Sequence, residues 1–217
     1  MKEVNDYIVK LNEEEAKKHT IPPDNKFYAS SALGCERQQV FRRRIPKEFP
    51  IEVLKIFQLG NMLHELFQKA IPGEDEAPLS IREGNIVIGG RIDKISADRE
   101  CYIEFKTTSD LKYTLDKPKE EHVAQLNLYL HTDKAKKGKV VYIDKRNMAT
   151  SEHEVTYCPE LYKKTIENFN RVYESLQTGV LPPVPNGYRF TRYPCYLCSH
   201  REECIADLNK IEKQQTL

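Results

Sequence analysis

The sequence predicts an α/β fold, a central mixed sheet flanked by helices, and three observations predict it. The segment IEVLKIFQLGNMLHELFQKAI repeats its apolar residues at helical spacing through Leu54, Phe57, Leu63, Phe67 and Ile71. Two alternating segments, NIVIGGRIDKIS and CYIEFKTTS, follow it, joined by ADRE, a polar connection of hairpin length. Beyond them, helix-like and strand-like stretches keep interleaving, which is the pattern of layered α/β domains.

From the N-terminus, a polar helix is expected over Val4 to Lys18, ended by the prolines and aspartate of TIPPD. After Ser30 and Ser31, either of which suits a cap, ALGCERQQVFRRR reads as a short helix with Cys35 near its start. The striped helix and the hairpin come next. A helix near EEHVAQLNLYLHTDKA, strands KVVYID and EHEVTY, and a helix from Pro159 to Leu176 complete the regular part, which TGVLPPVPNG closes. The expected division is a helical N-terminal part over 1–85, a core over 86–180 and a cysteine-rich coda over 181–217, within one integrated domain.

The 217 residues are 39% hydrophobic and 31% charged, enough apolar content for a core and too much for a disordered chain. With a net charge of +1, a polyanionic partner would have to be held by a local basic patch and not by an overall field. No apolar run approaches a membrane span, and the start, MKEVNDYIVKLNEEE, is polar and acidic. A cytoplasmic protein without membrane contact is expected.

The hairpin concentrates the chemistry. Side chains alternate across a sheet, so Glu104 and Lys106 share one face while Ile103 and Phe105 take the other. Asp93, near the end of the neighbouring strand, falls on the same side if the register allows it. Two carboxylates so placed suit Mg²⁺ or Mn²⁺, and a lysine beside them can steady a phosphate oxygen, which is the chemistry of phosphodiester hydrolysis. The alternative is a cross-strand salt bridge on a solvated face. Upstream, Gly60 and His64 stand four apart on one helix, so the imidazole can project over the hairpin while the glycine permits close approach. Downstream, Gln125 and Tyr129 have the same spacing on another helix.

Six cysteines in a reducing compartment are poor disulfide candidates, and their spacing matters more than their even number. Cys195, Cys198 and Cys204 crowd together in CYLCSHREEC, where a CxxC pair and a third cysteine can reach one centre. The fourth ligand is missing locally, and Cys35, Cys101 and Cys158 are the candidates. Thiolates suit iron–sulfur clusters and zinc alike.

The order GxxxH, GxxD, ExK, QxxxY resembles the RecB-like branch of the PD-(D/E)xK nuclease superfamily. With Cys35 upstream and CxxCx5C at the end, the chain resembles the CRISPR-associated RecB-like exonuclease family that carries an iron–sulfur cluster, from about Ser31 to Cys204. The resemblance implies a restriction-endonuclease-like core in which His64, Asp93, Glu104 and the Phe105 carbonyl bind the catalytic Mg²⁺ or Mn²⁺. Lys106 would be the catalytic lysine, and Gln125 and Tyr129 would lie beside the site, contacting DNA or supporting the metal shell. It also implies that Cys35, Cys195, Cys198 and Cys204 hold the cluster, [4Fe-4S] ahead of [2Fe-2S], with zinc as the alternative and with Cys101 and Cys158 as packed residues. One departure is the Glu36–Arg37 pair after Cys35, where Pro-Arg is expected.

Such a protein needs a surface for DNA. Arg37, Arg42, Arg43, Arg44 and Lys47 cluster beside Cys35 and could carry phosphates past the site, the alternative being a solvated helix face. The expected function is a metal-dependent exonuclease acting on single-stranded DNA, processing ends for CRISPR spacer acquisition beside the integrase of that system. The alternatives are a RecB-like nuclease of DNA repair or viral origin, and a cluster-bearing DNA-binding subunit whose nuclease site is vestigial.

Overall fold

The computed structural model describes residues 2–18, 22–134, 136–184, 190–191 and 194–215. In chain order the elements are α1 (Lys2–Lys18), β1 (Lys26–Tyr28), α2 (Glu36–Arg44), α3 (Ile51–Ala70), β2 (Gly73–Glu83), β3 (Ile86–Ser96) and β4 (Cys101–Thr108). They continue with α4 (Glu120–Thr132), β5 (Lys137–Asp144), β6 (Thr150–Val155), α5 (Pro159–Thr178) and α6 (Arg201–Gln215). Among the described residues, no helix is long and apolar enough to cross a membrane.

Local chemistry explains several boundaries. Proline occupies the first turn of α5, where its missing N–H costs nothing, and Gly179 ends that helix in the left-handed conformation (φ 76°). The β3–β4 turn closes through the Ser96 carbonyl, which accepts the Arg99 N–H at 2.8 Å, and the Ser96 hydroxyl, which accepts the Cys101 N–H at 2.9 Å.

The strands form one mixed sheet in the order β1-β3-β4-β5-β6, with β2 also on β3. β2 runs antiparallel to β3 along its length, from Gly73↔Ser96 to Glu83↔Ile86. The opposite edge of β3 is shared. β1 pairs with it in parallel from Lys26↔Val87 to Tyr28↔Gly89, and β4 pairs antiparallel only at Lys94↔Ile103 and Ile95↔Tyr102. Between these ladders, Gly90 to Asp93 have no strand partner on that edge among the described residues, and the notch so formed is where the site lies. β4 and β5 are parallel from Cys101↔Lys137 to Thr108↔Asp144, with α4 as the crossover, and β6 closes the sheet antiparallel to β5.

Helices cover both faces. Leu126, Tyr129 and Leu130 of α4 and Phe169 and Val172 of α5 bury against one, together with Val140 and Tyr142 of β5; Leu63 of α3 buries against the other with Ile103, Phe105, Val141 and Ile143. β5 is therefore apolar on consecutive residues, as a strand buried on both sides must be. The structure adds strand to the 1–85 segment, because β1 and β2 both belong to the sheet, and it ends the coda in the helix α6.

Candidate active site

The β4 strand presents Glu104 and Lys106 on the face toward α4, as alternation requires. Glu104 is only 1% exposed. Its Oε1 accepts from Lys106 Nζ at 2.6 Å and from Gln125 Nε2 at 2.6 Å, while Lys106 Nζ also donates to Gln125 Oε1 at 2.8 Å. The Gln125 amide further donates to the Tyr129 hydroxyl at 3.0 Å. The second carboxylate oxygen, Oε2, is buried without a hydrogen-bond partner. A buried carboxylate oxygen left bare costs free energy unless something else satisfies it.

Asp93 reaches the same place from β3. The backbone ladder stops at Lys94, and the Asp93 carboxylate takes over the next rung, its Oδ2 accepting the Phe105 N–H at 2.8 Å. In a strand, a residue's N–H and C=O point to the same neighbour, so the Phe105 carbonyl also faces the notch. His64 of α3 brings Nδ1 to 3.8 Å from Asp93 Oδ2. One turn earlier α3 runs close to β4, where a Cβ at Gly60 would lie in ordinary contact with the Thr107 hydroxyl at 3.4 Å. On the other side, Tyr129 packs flat against β3, where a Cβ at Gly90 would sit 3.0 Å from its ring.

Burial dominates the electrostatics. It pushes the Asp93 carboxyl up to about 8, with neighbouring Glu104 adding to the shift. Glu104 is raised by burial too, against the pull of Lys106. His64 goes down to about 4, through burial and then the cations Lys106 and Lys145. Tyr129 is raised by burial and by Glu104, so its hydroxyl keeps its proton. These groups crowd two acids that resist ionising together unless a cation joins them, which is the environment of a divalent-metal site. Among the described residues, no three His, Cys, Asp or Glu side chains stand close enough to hold an ion without some adjustment.

Two neighbouring residues escape a reading of the sequence. Glu76 of β2 lies across from Asp93 in a left-handed backbone (φ 53°), with Oε1 accepting from Gln68 Nε2 at 2.7 Å and Oε2 3.0 Å from Arg91 Nε. Gln68 also donates to the Asp93 carbonyl at 3.1 Å, tying α3 to both strands. The Gly84–Asn85 pair that joins β2 to β3 was the available signal, since a two-residue turn of that kind marks a hairpin.

At the other end of α2, Cys35 caps the helix and faces the coda. The Cys35 thiol is raised by burial, with Cys198 and Cys204 contributing, and Cys195 is raised by burial and then by Cys35, Cys198 and Cys204. Each therefore lies within electrostatic reach of the others. Arg37 Nε donates to Cys204 Sγ at 3.1 Å and Gln38 Nε2 to Cys198 Sγ at 3.5 Å, contacts of the kind that favour sulfur bearing negative charge. All six cysteines are free thiols. Cys101 feels Lys139 and Asp98 rather than these four, and Cys158 serves through its backbone, which exchanges two hydrogen bonds with Asn127.

The arginine cluster needs correction. Arg37 is 2% exposed and spends its guanidinium on Cys204, the Pro182 carbonyl (2.8 Å) and Asp207 (2.6 Å), so it fastens the coda and is closed to DNA. Arg43 lies over the Phe27 ring and donates to the Lys26 carbonyl, Arg44 donates to the Leu176 carbonyl, and Lys47 pairs with Glu203 at 2.5 Å. Arg42 alone of the group is exposed without a bond of this sort among the described residues.

No protein-family model and no curated protein matches the chain. Solved structures do. The crystal structure of SSO0001 is 25% identical and superposes with a TM-score of 0.65 over 91% of this chain and 94% of that one. A phage-related exonuclease from Haemophilus somnus 129PT is 14% identical, with a TM-score of 0.50 over 71% of this chain and 96% of its own. The alkaline exonuclease LHK-Exo of Laribacter hongkongensis is 15% identical over 71% and 89% of the two chains, with a TM-score of 0.50, or 0.51 for its complex with dAMP. The fold is accordingly that of the PD-(D/E)xK exonucleases, a central mixed sheet flanked by helices.

Proposed function

We propose that the chain is a metal-dependent deoxyribonuclease that degrades single-stranded DNA from an end. The observation that carries the reading is the bare, buried Glu104 Oε2, with Asp93 within electrostatic reach and Lys106 bonded to the other Glu104 oxygen. Asp93, Glu104, the Phe105 carbonyl and His64 would hold Mg²⁺ or Mn²⁺, an ion that polarises a phosphodiester and lowers the pKa of water. His64 is neutral above about pH 4 and so offers a lone pair at physiological pH. Lys106, held between Glu104 and Gln125, presents its ammonium where a non-bridging phosphate oxygen can accept from it or where a proton can be passed. Gln125 keeps Lys106 and Glu104 in register, and Tyr129, pinned against Gly90, supports Gln125.

The same reading gives Cys35, Cys195, Cys198 and Cys204 an iron–sulfur cluster, [4Fe-4S] in preference to [2Fe-2S], whose role is to tie α2 to the coda. Sulfur-directed donors from Arg37 and Gln38 and the mutual proximity of the thiols support it. The order of the motifs supports work on DNA ends for CRISPR spacer acquisition, in company with that system's integrase. End-labelled single strands, with the matching duplex alongside, test the activity: digestion in Mn²⁺ should stop with brief EDTA treatment and return on adding Mn²⁺. Digestion that persists through EDTA rejects the reading.

A further inference from the structure

A cleft of about 1020 Å³ opens beside the site. Its inner end is made by Asp93, Gln125 and Tyr129, and from there it follows β3 past Arg91 and Gly89 to Lys26 and Tyr28 on β1. Alternation puts Val87, Gly89 and Arg91 on one face of β3, and the six steps from Val87 to Asp93 span about 20 Å at about 3.3 Å per residue. Charge is graded along this track. The carboxylates that line it, Glu76 and Asp93, both stand at the site end, whereas Lys26 lies at the far end and Arg91, its side chain 62% exposed and paired with Glu76 at 3.0 Å, lies between. Tyr28 adds an aromatic surface next to Lys26, whose ammonium is 5.9 Å from the ring centre.

We propose that this cleft is the track of one DNA strand, with Lys26 and Arg91 on its phosphates and Tyr28 against a base, delivering a phosphodiester to Asp93 and Glu104. The proposal rests on the nuclease reading and adds the path that selects a single strand. A groove that pairs cations with an aromatic platform is how sequence-tolerant single-strand binders work. The volume is enough to admit a few nucleotides. Gly89 leaves the floor bare. A Cβ there would meet nothing nearer than the Phe27 carbonyl oxygen, 4.0 Å away, so the fold does not require glycine at this position.

Gly89→Val therefore narrows the track with a residue that strands favour, and Lys26→Gln removes one cation from an exposed position. Binding of a fluorescein-labelled oligothymidylate is measured in Ca²⁺, and turnover in Mn²⁺ is compared with that of bis(p-nitrophenyl) phosphate, a diester too small to need the track. Each variant should weaken oligonucleotide binding about tenfold and lower the ratio of oligonucleotide to small-diester turnover by a similar factor. Lys26→Gln should also flatten the dependence of log affinity on log salt by about 0.7. Oligonucleotide binding at the wild-type level in Gly89→Val overturns the track, and a duplex bound as tightly as the single strand overturns the single-strand assignment. Wild-type protein that binds the oligonucleotide through both positions but hydrolyses neither substrate supports the track and rejects the nuclease reading.

Discussion

At neutral pH and without metal, the Asp93 carboxyl holds its proton, because burial and the Glu104 charge raise its pKa to about 8. Its unfolded value is 3.8, so the stability that Asp93 contributes is complete below that pH and is lost as pH rises through about 8. A divalent cation reverses this by displacing the proton. Mn²⁺ affinity should therefore climb about tenfold per pH unit between pH 6 and 8 and level off above, with about one proton released per ion near pH 7, as titration calorimetry in two buffers of different ionisation enthalpy will show. His64 has the opposite sign: its pKa falls from 6.5 to about 4, so its share of stability is complete above 6.5 and lost on acidification through about 4. That Glu104 meets Lys106, and that Gln125 and Tyr129 share a helix face, was legible because strand and helix periods fix which side chains can face one another. Glu76 was not, since its place depends on the pairing of β2 and on a left-handed backbone that sequence spacing does not announce.

At the scale of elements, the sequence reading recovered helices α1 to α5, the β3–β4 hairpin and the strands after it, where apolar periodicity is strong. It passed over β1, α6 and β2. The β2 strand carries Glu74, Asp75, Glu76 and Pro78 and keeps only Ala77, Leu79 and Ile81 as its apolar alternation. Such a composition belongs to an edge strand, where proline and charge are tolerated because no further partner needs the N–H groups. Arg37 was misplaced for a different reason, because counting charges cannot tell a cation facing solvent from one that is buried and paired. Arg37→Met tests the corrected role. Breaking a pair only 3% exposed on the Arg37 side and 30% exposed on the Asp207 side should cost about 3 kcal/mol in urea unfolding. The salt dependence of oligonucleotide binding should stay as in the wild type, and a flatter salt dependence with unaltered stability would return Arg37 to the DNA surface.

Across the whole molecule, the proposed function places two centres of unlike chemistry on one frame, oxygen donors in the β3–β4 notch and thiols where α2 meets the coda. Cys35 and the coda are far apart in sequence, so a cluster shared by them would close most of the chain into a loop and remove much of its unfolded freedom. Protein purified without oxygen should be brown and contain iron and sulfide. Cys195→Ala should lose the colour and melt on the order of 10 °C lower, whereas Cys101→Ser should stay brown; a colourless wild-type protein with one zinc ion would replace the cluster by zinc. Loose oxygen ligation and tight thiolate ligation also separate the centres experimentally, because a chelator should remove the ion from the notch before it bleaches the protein. Glu104 is proposed to serve the hydrolytic ion, and Glu104→Gln addresses this with the least disturbance, since the amide oxygen can still accept from Lys106 and Gln125 while the bare Oε2 position becomes a donor. The most direct measurement is single-turnover cleavage of an end-labelled single strand in Mn²⁺ by this variant and the wild type, matched for iron content. A rate lower by more than about 10²-fold, with oligonucleotide affinity retained, is the predicted result, and cleavage at the wild-type rate would contradict the account.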